Sequence, residues 1–274
     1  MTDYLLFRLY GPLAAWGDTA VGEYRPTYSH PSKSAILGLV AAALGIRRDE
    51  EEQQLALANG YGFAVRVEAA GHLLSDFHSY SRPKPKKNSK PKKKPKPKDD
   101  EADDSLAKYA TRRDELRSGD FETKLSTREY RCDALYTVCL WQRESAPHAL
   151  SEIKEKLRFP EFTLYLGRKS CPLALPVEAQ IIGAENIKAA LMQWQSAKDD
   201  PIQKFEKEVG LDKLLSDKSS VYWEEPAQSG LRCLKSVQRR DVPLSRRRWQ
   251  FTMREEFSAD ISQADLSAQF DLWS

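Results

Sequence analysis

The chain has 274 residues, 41% of them apolar and 30% charged, with a formal net charge of +3. This length supports one large domain or two small ones around a real core, and because the apolar deficit is local the whole chain does not read as disordered. The longest apolar run, Ala35 to Ile46, is too short to cross a bilayer, and Met1-Thr2-Asp3-Tyr4 puts no basic region before an apolar one. Membrane and secreted classes are therefore not expected, and the expected location is cytoplasmic.

Residues 3–10 (DYLLFRLY) predict a first strand, ended by Gly11-Pro12. A long loop runs from Leu13 to Ser32. Ser32 is then the expected N-cap of a helix from Lys33 to Leu44, closed by Gly45. Ile36, Leu37, Val40 and Leu44 share one face of it, and Gly38 and Ala41 to Ala43 keep it thin. Residues 47–58 predict a second, exposed helix. Tyr61 to Ala69 alternates as a strand, with His72 to Tyr80 as its expected partner across Gly71. Residues 106–128 mix charges in a helical pattern. Cys132 to Trp141 is the most strand-like run, Pro147 to Leu157 predicts a helix, and residues 174–182 predict another strand.

The order is strand, helix, strand, excursion, strand, helix, strand. That predicts an α+β, ferredoxin-like (RRM-like) domain made of residues 1–80 and 121–183, with an insertion at 81–120. After residue 183 the pattern changes. Residues 184–216 look helical with a break at Pro201, and SSVYW, LRCLKSVQ and RWQFTM are short strand candidates. Residues 184–274 are expected to form a small C-terminal α/β subdomain with a loosely held polar tail.

The charge is unevenly spread. Residues 82–98 (RPKPKKNSKPKKKPKPK) hold nine Lys, one Arg, five Pro and no acid, and DDEADD follows with five acids, leaving the rest of the chain at −2. Such a strip has nothing to bury and should be extended, about 53 Å long at ~3.1 Å per residue. It reads either as a phosphate-seeking arm or as a solubilising linker, without base-reading residues.

Chemistry-bearing motifs are sparse. Cys132, Cys139, Cys171 and Cys233 form no CxxC pair and read as reduced thiols. The histidines His30, His72, His78 and His148 fall in no HExxH or zinc spacing, so no metal or cofactor is expected. Ser32-Lys33-Ser34 at a helix start offers N–H groups, hydroxyls and a cation for a phosphate, or is an ordinary cap. Gly167-Arg168-Lys169-Ser170 after Tyr165 offers close backbone approach and two cations, or is a solvated turn. His78 with Lys124 or Tyr130 is the one arrangement that offers acid–base chemistry on RNA, and a lone strand-end His is more often structural.

Several segments resemble the CasD family of type I-E CRISPR Cascade subunits, in the RAMP superfamily. They are YLLFRLYGPLAAWG and RPTYSHPSKSAILGLVAAALGI, then LSDFHS, REYRCDALYTVCLW and YLGRKSCPLALPV in the same order, and more weakly RRDVPLSRRRWQF. The resemblance implies an RRM-like RAMP domain with a thumb insertion between its central strands and a smaller C-terminal part. It implies a non-catalytic RNA-binding subunit that caps the repeat-derived 5′ handle of the crRNA, contacts the large subunit and the backbone subunits of Cascade, and serves antiviral defence through RNA-guided DNA targeting. A sister branch in type I-C cleaves, so the alternative is a metal-independent endoribonuclease that processes CRISPR repeat RNA.

Carried onto this chain, the implied handle-binding positions are Arg25, Lys33 and Ser34 at the entry to the first helix, His78 at the base of the thumb, and Arg128, Tyr130 and Arg131 where the chain leaves it. Tyr165, Gly167, Arg168, Lys169 and Ser170 form the Gly-containing loop. The Lys/Pro strip departs from the family pattern. Lys84, Lys86, Lys87, Lys92, Lys93 and Lys94 are candidate contacts to the guide backbone or to target DNA.

Overall fold

The apolar opening of the chain becomes the centre of a sheet. In this computed structural model, which describes residues 1–17, 19–83, 111, 113, 121–194, 207, 210, 218–225 and 229–262, strand β1 covers Thr2–Ala14. It is followed by β2 (Tyr24–Arg25), α1 (Lys33–Leu44), α2 (Glu51–Gly60), β3 (Tyr61–Ala69), β4 (His72–Pro83), β5 (Phe121–Gln142), α3 (Leu150–Arg158), β6 (Gln180–Ala184), α4 (Ile187–Gln193), β7 (Lys218–Trp223), β8 (Lys235–Ser245) and β9 (Gln250–Ser262). Among the described residues the strands join one large sheet in the order β6-β1-β5-β3-β7-β9-β8, antiparallel along this path. The strand β4 and the short parallel β2 are added on β5. The architecture is mixed α/β on a large antiparallel sheet.

Both faces of β1 are covered, which explains its nearly unbroken apolar run. Leu5, Phe7 and Leu9 enter a core with α1, α2 and α3, while Tyr4 and Leu6 enter a second core with α4, Trp141, Val221 and Trp223. Alternation sends successive side chains to opposite cores, and each fully buried Leu or Phe contributes roughly 1.5–3 kcal/mol. Helix α1 forms where the caps predict it: Ser32 Oγ accepts from the Ala35 N–H at 3.1 Å, and Gly45 closes the helix in the left-handed region.

Several expected boundaries are corrected. Gly11-Pro12 does not end β1: the ladder passes from Gly11 opposite Ala134 to Leu13 opposite Cys132, skipping the proline that has no N–H to give. The second helix starts at Glu51 rather than residue 47, and α3 starts at Leu150, three residues after Pro147. The strand expected at 174–182 is β6, Gln180–Ala184; before it the chain runs beside β1 through single bonds, Arg8 N–H to Val177 O and Ala174 N–H to Tyr10 O, both 3.0 Å. Part of the charged stretch 106–128 is strand, because β5 begins at Phe121.

The largest difference concerns His72–Tyr80. It does not fold back on β3. Both β3 and β4 pair with β5, β3 with Leu135–Gln142 and β4 with Phe121–Cys132, so β4 continues β3 along the same partner. At the junction Gly71 has φ +64°, where a Cβ would lie 2.2 Å from Cys132 O, and Asp133 opposite has φ +54°. This local irregularity marks where a long β4–β5 hairpin leaves the body of the sheet. Arg82 and Pro83, the first residues of the Lys/Pro strip, end β4; the rest of the strip, and with it Lys84 to Lys94, lies outside the described residues.

The C-terminal strands β7 to β9 extend the same sheet beyond β3 and are tied to α1 by buried charges. The Lys33 backbone N–H donates to Asp241 Oδ2 at 2.9 Å, Lys33 Nζ lies 2.9 Å from Glu224, Arg254 Nε donates to Asp241 at 2.7 Å, Arg239 meets Glu256 at 3.1 Å, and His30 Nε2 lies 2.9 Å from Glu256.

Candidate nucleic-acid interface

The expected site residues divide into two places. Lys33 and Ser34 are in the first, and there the expectation is corrected. Lys33 is 2% exposed, its ammonium is held by Glu224, and the free N–H at the start of α1 already has the Asp241 carboxylate. Burial pushes the Lys33 amine below its ordinary value against the pull of Glu224. Ser34 is buried, its hydroxyl lies 3.1 Å from that of Ser32, and its carbonyl accepts from Arg246 Nη2 at 2.6 Å. The anion at this helix start is the protein's own, so no phosphate is needed there.

The second place is the base of the β4–β5 hairpin. The loop after β1 is pinned against it: the Trp16 N–H donates to Thr27 Oγ1 at 2.8 Å, the Trp16 ring meets Tyr136 edge-on at 5.6 Å, and the Thr27 N–H donates to Glu129 at 3.1 Å. Tyr24 hydroxyl also donates to Glu129, which raises the Tyr24 phenol above its usual range. This delivers β2 to β5 with Arg25 beside Arg128. Arg25 keeps its guanidinium at the surface, donating to Gly22 O at 2.7 Å.

The loop Tyr165–Pro172 closes on the same spot. It is a tight turn, with the Leu166 N–H donating to Cys171 O at 2.7 Å and the Cys171 N–H to Arg168 O at 2.8 Å. Arg168 leaves it to donate to Glu129 O at 3.0 Å and to Arg25 O at 3.4 Å, with its guanidinium 4.6 Å from the Tyr130 ring centroid. The side chain thus couples three segments distant in sequence. Gly167 has φ +84°, and a Cβ there would lie 1.9 Å from Ala15 O. The glycine permits approach to the protein's own backbone rather than to a ligand. Lys169 and Ser170 are exposed, and Tyr165 is partly so.

Tyr130 is corrected in one respect: it is buried, with Arg168 over its ring, and is not open for a base to stack on. By strand alternation Arg128 shares its face, together with Asp76 and His78 across the ladder; Arg131 points to the other face and donates to Tyr28 O at 3.4 Å. His78 Nε2 lies 2.6 Å from Asp76 Oδ2. Its register partner is Ser126, while Lys124 stands opposite Tyr80 and pairs with Glu122 at 2.8 Å. His78, Lys124 and Tyr130 are therefore not assembled into one acid–base group.

Residue reasoning missed the exposed apolar side chains of the hairpin. Leu73, Phe77 and Leu125 lie on one face and Leu74 and Tyr80 on the other, with Phe77 65% exposed. Their only sequence signal is HLLSDFHSY itself, where apolar residues occupy both strand parities. Among the described residues no His/Cys/Asp/Glu group has the makings of a metal site, and no helix is long and apolar enough to cross a membrane. Burial raises the Cys139 thiol well above its usual range, and Cys171 is also buried.

A family model described as CRISPR-associated protein (Cas_Cas5) matches residues 4–256. The CRISPR system Cascade subunit CasD of Escherichia coli (strain K12) is 33% identical over 200 residues, covering 73% of this chain and 80% of that one. A chain of a solved CRISPR RNA-guided surveillance complex superposes with a TM-score of 0.52 at 22% identity, covering 94% of this chain and 89% of that one, a likeness of fold. A crystal structure of a Cas protein gives a TM-score of 0.49 at 20% identity, with 94% of each chain covered. The chain belongs to the CRISPR-associated protein (Cas_Cas5) family.

Proposed function

We propose that the protein is a non-catalytic Cascade subunit of the CasD type, which holds the repeat-derived 5′ handle of a crRNA at the base of the β4–β5 hairpin. Family membership and the 33% identity to a named Cascade subunit support the assignment to the complex. The observation that carries the RNA site is Arg168, which draws the 165–172 loop, β2 and β5 together and groups Arg25, Arg128, Arg168 and Lys169 around an exposed hairpin. Cations of this kind take phosphates and fix the strand's position. The exposed Tyr80, on the Arg128 face of the hairpin, supplies a face on which an unpaired base stacks.

In this reading β1, α1, β3, β5, α3 and β6, with strand order β6-β1-β5-β3, form the ferredoxin-like RAMP core, and the hairpin is its thumb. Partners are the crRNA, the backbone subunits and the large subunit, in the cytoplasm. The lysines of the Lys/Pro strip are taken as contacts to guide or target DNA.

The processing-enzyme alternative has little support, because Lys124 and Tyr130 do not join His78 in one acid–base group: Lys124 pairs with Glu122 and Tyr130 is buried. The test is incubation of the purified protein with its own repeat transcript in EDTA, followed on a denaturing gel. An intact transcript is expected. Cleavage inside the repeat, abolished in His78→Ala, would overturn the non-catalytic assignment.

A further inference from the structure

A second cationic and aromatic surface lies away from the hairpin base. It is formed by the β8–β9 turn, Arg246-Arg247-Arg248-Trp249, at the far side of the sheet from β6. Trp249 has φ +56°, a left-handed conformation that suits Gly or Asn and not a bulky side chain. The tryptophan is nevertheless 58% exposed, so core packing does not explain its choice. Its ring is positioned: the Arg48 guanidinium lies 4.2 Å from its centroid, and Phe251 meets it edge-on at 5.3 Å.

The support beneath includes one buried cation. Arg246 is 8% exposed, donates to Ser34 O at 2.6 Å, and has an Nε with no hydrogen-bond partner. Arg48 Nε donates to Arg246 O at 3.3 Å, which ties the α1–α2 loop to the turn. Arg240 donates to Phe251 O at 3.0 Å and keeps an exposed side chain. Arg247 and Arg248 project from the turn, both exposed. The result is an indole that stays 58% exposed with Arg48 over one face, and with exposed guanidinium groups around it.

We propose that this turn is a second nucleic-acid contact, which stacks one unpaired base on Trp249 and takes the adjoining phosphates on Arg240, Arg247 and Arg248. Base stacking on an aromatic ring and phosphate neutralisation by arginine are the two components of sequence-tolerant single-strand binding. RNA and DNA share that chemistry. The surface is separated from the hairpin base by β3, β7 and β9 in the sheet and stands independently of the handle-binding reading.

The test uses the full chain with fluorescein-labelled 12-mers of deoxythymidine and of uridine, read by anisotropy across a salt series. Trp249→Gly removes the ring while suiting the left-handed backbone, so it should fold at least as well as the wild type. It is expected to weaken binding at least about 5-fold, the low end of one lost stacked base. Arg247→Ala with Arg248→Ala should lower the slope of log affinity against log salt by ~1.4. The same oligomers carrying 5-iodouracil should crosslink at Trp249. A loss confined to DNA assigns the contact to a DNA strand, a loss confined to RNA assigns it to the guide, and an equal loss assigns it to backbone and ring alone. Unchanged affinity and slope in both variants, with no crosslink at Trp249, would overturn the proposal. So would a lowered thermal midpoint in Trp249→Gly with binding intact, which would make the ring structural.

Discussion

Gly167 shows how a residue readable as ligand-binding acts through the protein instead. A side chain there meets Ala15 O, and the backbone conformation is one that L-residues avoid. Gly167→Ala is expected to cost about 1–3 kcal/mol, seen as a lower thermal midpoint, because the loop must shift to admit the methyl group. The displaced loop carries Arg168 with it, so affinity for handle RNA should fall in the same variant. Lys33 teaches the complementary point. Local sequence places a cation and free N–H groups at a helix start, and the caps Ser32 and Gly45 were legible. The anion that fills the site is Asp241, 208 positions away, which no local pattern reveals.

At the scale of elements, the β4–β5 hairpin was only half legible. The C-terminal half of β5 is a nearly continuous apolar run buried on both faces, whereas β4 puts apolar residues on both faces because neither face is buried as a layer. Periodicity then cannot tell a continuing strand from a returning one, and Gly71 looks like a turn when it is a bend at the hairpin's exit. Arg168 tests how firmly the hairpin base is held. Arg168→Ala removes a cation–aromatic contact and two hydrogen bonds, a loss of about 1–3 kcal/mol in denaturant unfolding. Arg168→Lys keeps the charge but not the planar fork, so it should restore little of that stability while recovering part of the RNA affinity. Equal behaviour of the two variants in both assays would mean that the planar fork and not the charge matters, whereas a Lys variant equal to the wild type would mean that only charge matters.

For the whole molecule, the buried charges that join α1 to β7–β9 set the pH response. Glu256 is held down to about 2 by the His30 hydrogen bond and by Arg239 and Arg254, against the opposing effect of burial. Its contribution is complete above its ordinary value of 4.5 and is lost as pH falls towards 2. His30 is pushed below its ordinary 6.5 by burial and by the same two arginines, so it stays neutral where the unfolded chain takes up a proton. That lowers stability as pH falls through 6.5. Both effects have the same sign: the denaturation midpoint should decline on acidification in two stages, one beginning near pH 6.5 and one below 4.5. His30→Gln should remove the first stage and keep the second. This charge network was not legible in sequence, since its members come from the segment before α1, from Lys33 at the start of α1, from Glu224 just after β7, and from β8 and β9. The order of the core elements was legible, because α1 carries its caps and the core strands are apolar or alternating runs bounded by turn residues.

The central claim is that the hairpin base grips the 5′ end of the guide. Its most direct test is to assemble the crRNA-bearing complex with either the wild-type chain or an Arg128→Ala, Lys169→Ala double variant, and to map nuclease protection of the RNA. These two cations are half-buried and exposed, respectively, so the fold should survive their loss. The account predicts that the variant leaves the 5′ handle open to digestion while protection of the spacer stays intact. A variant that enters the complex fully and protects the handle as well as the wild type does would contradict it.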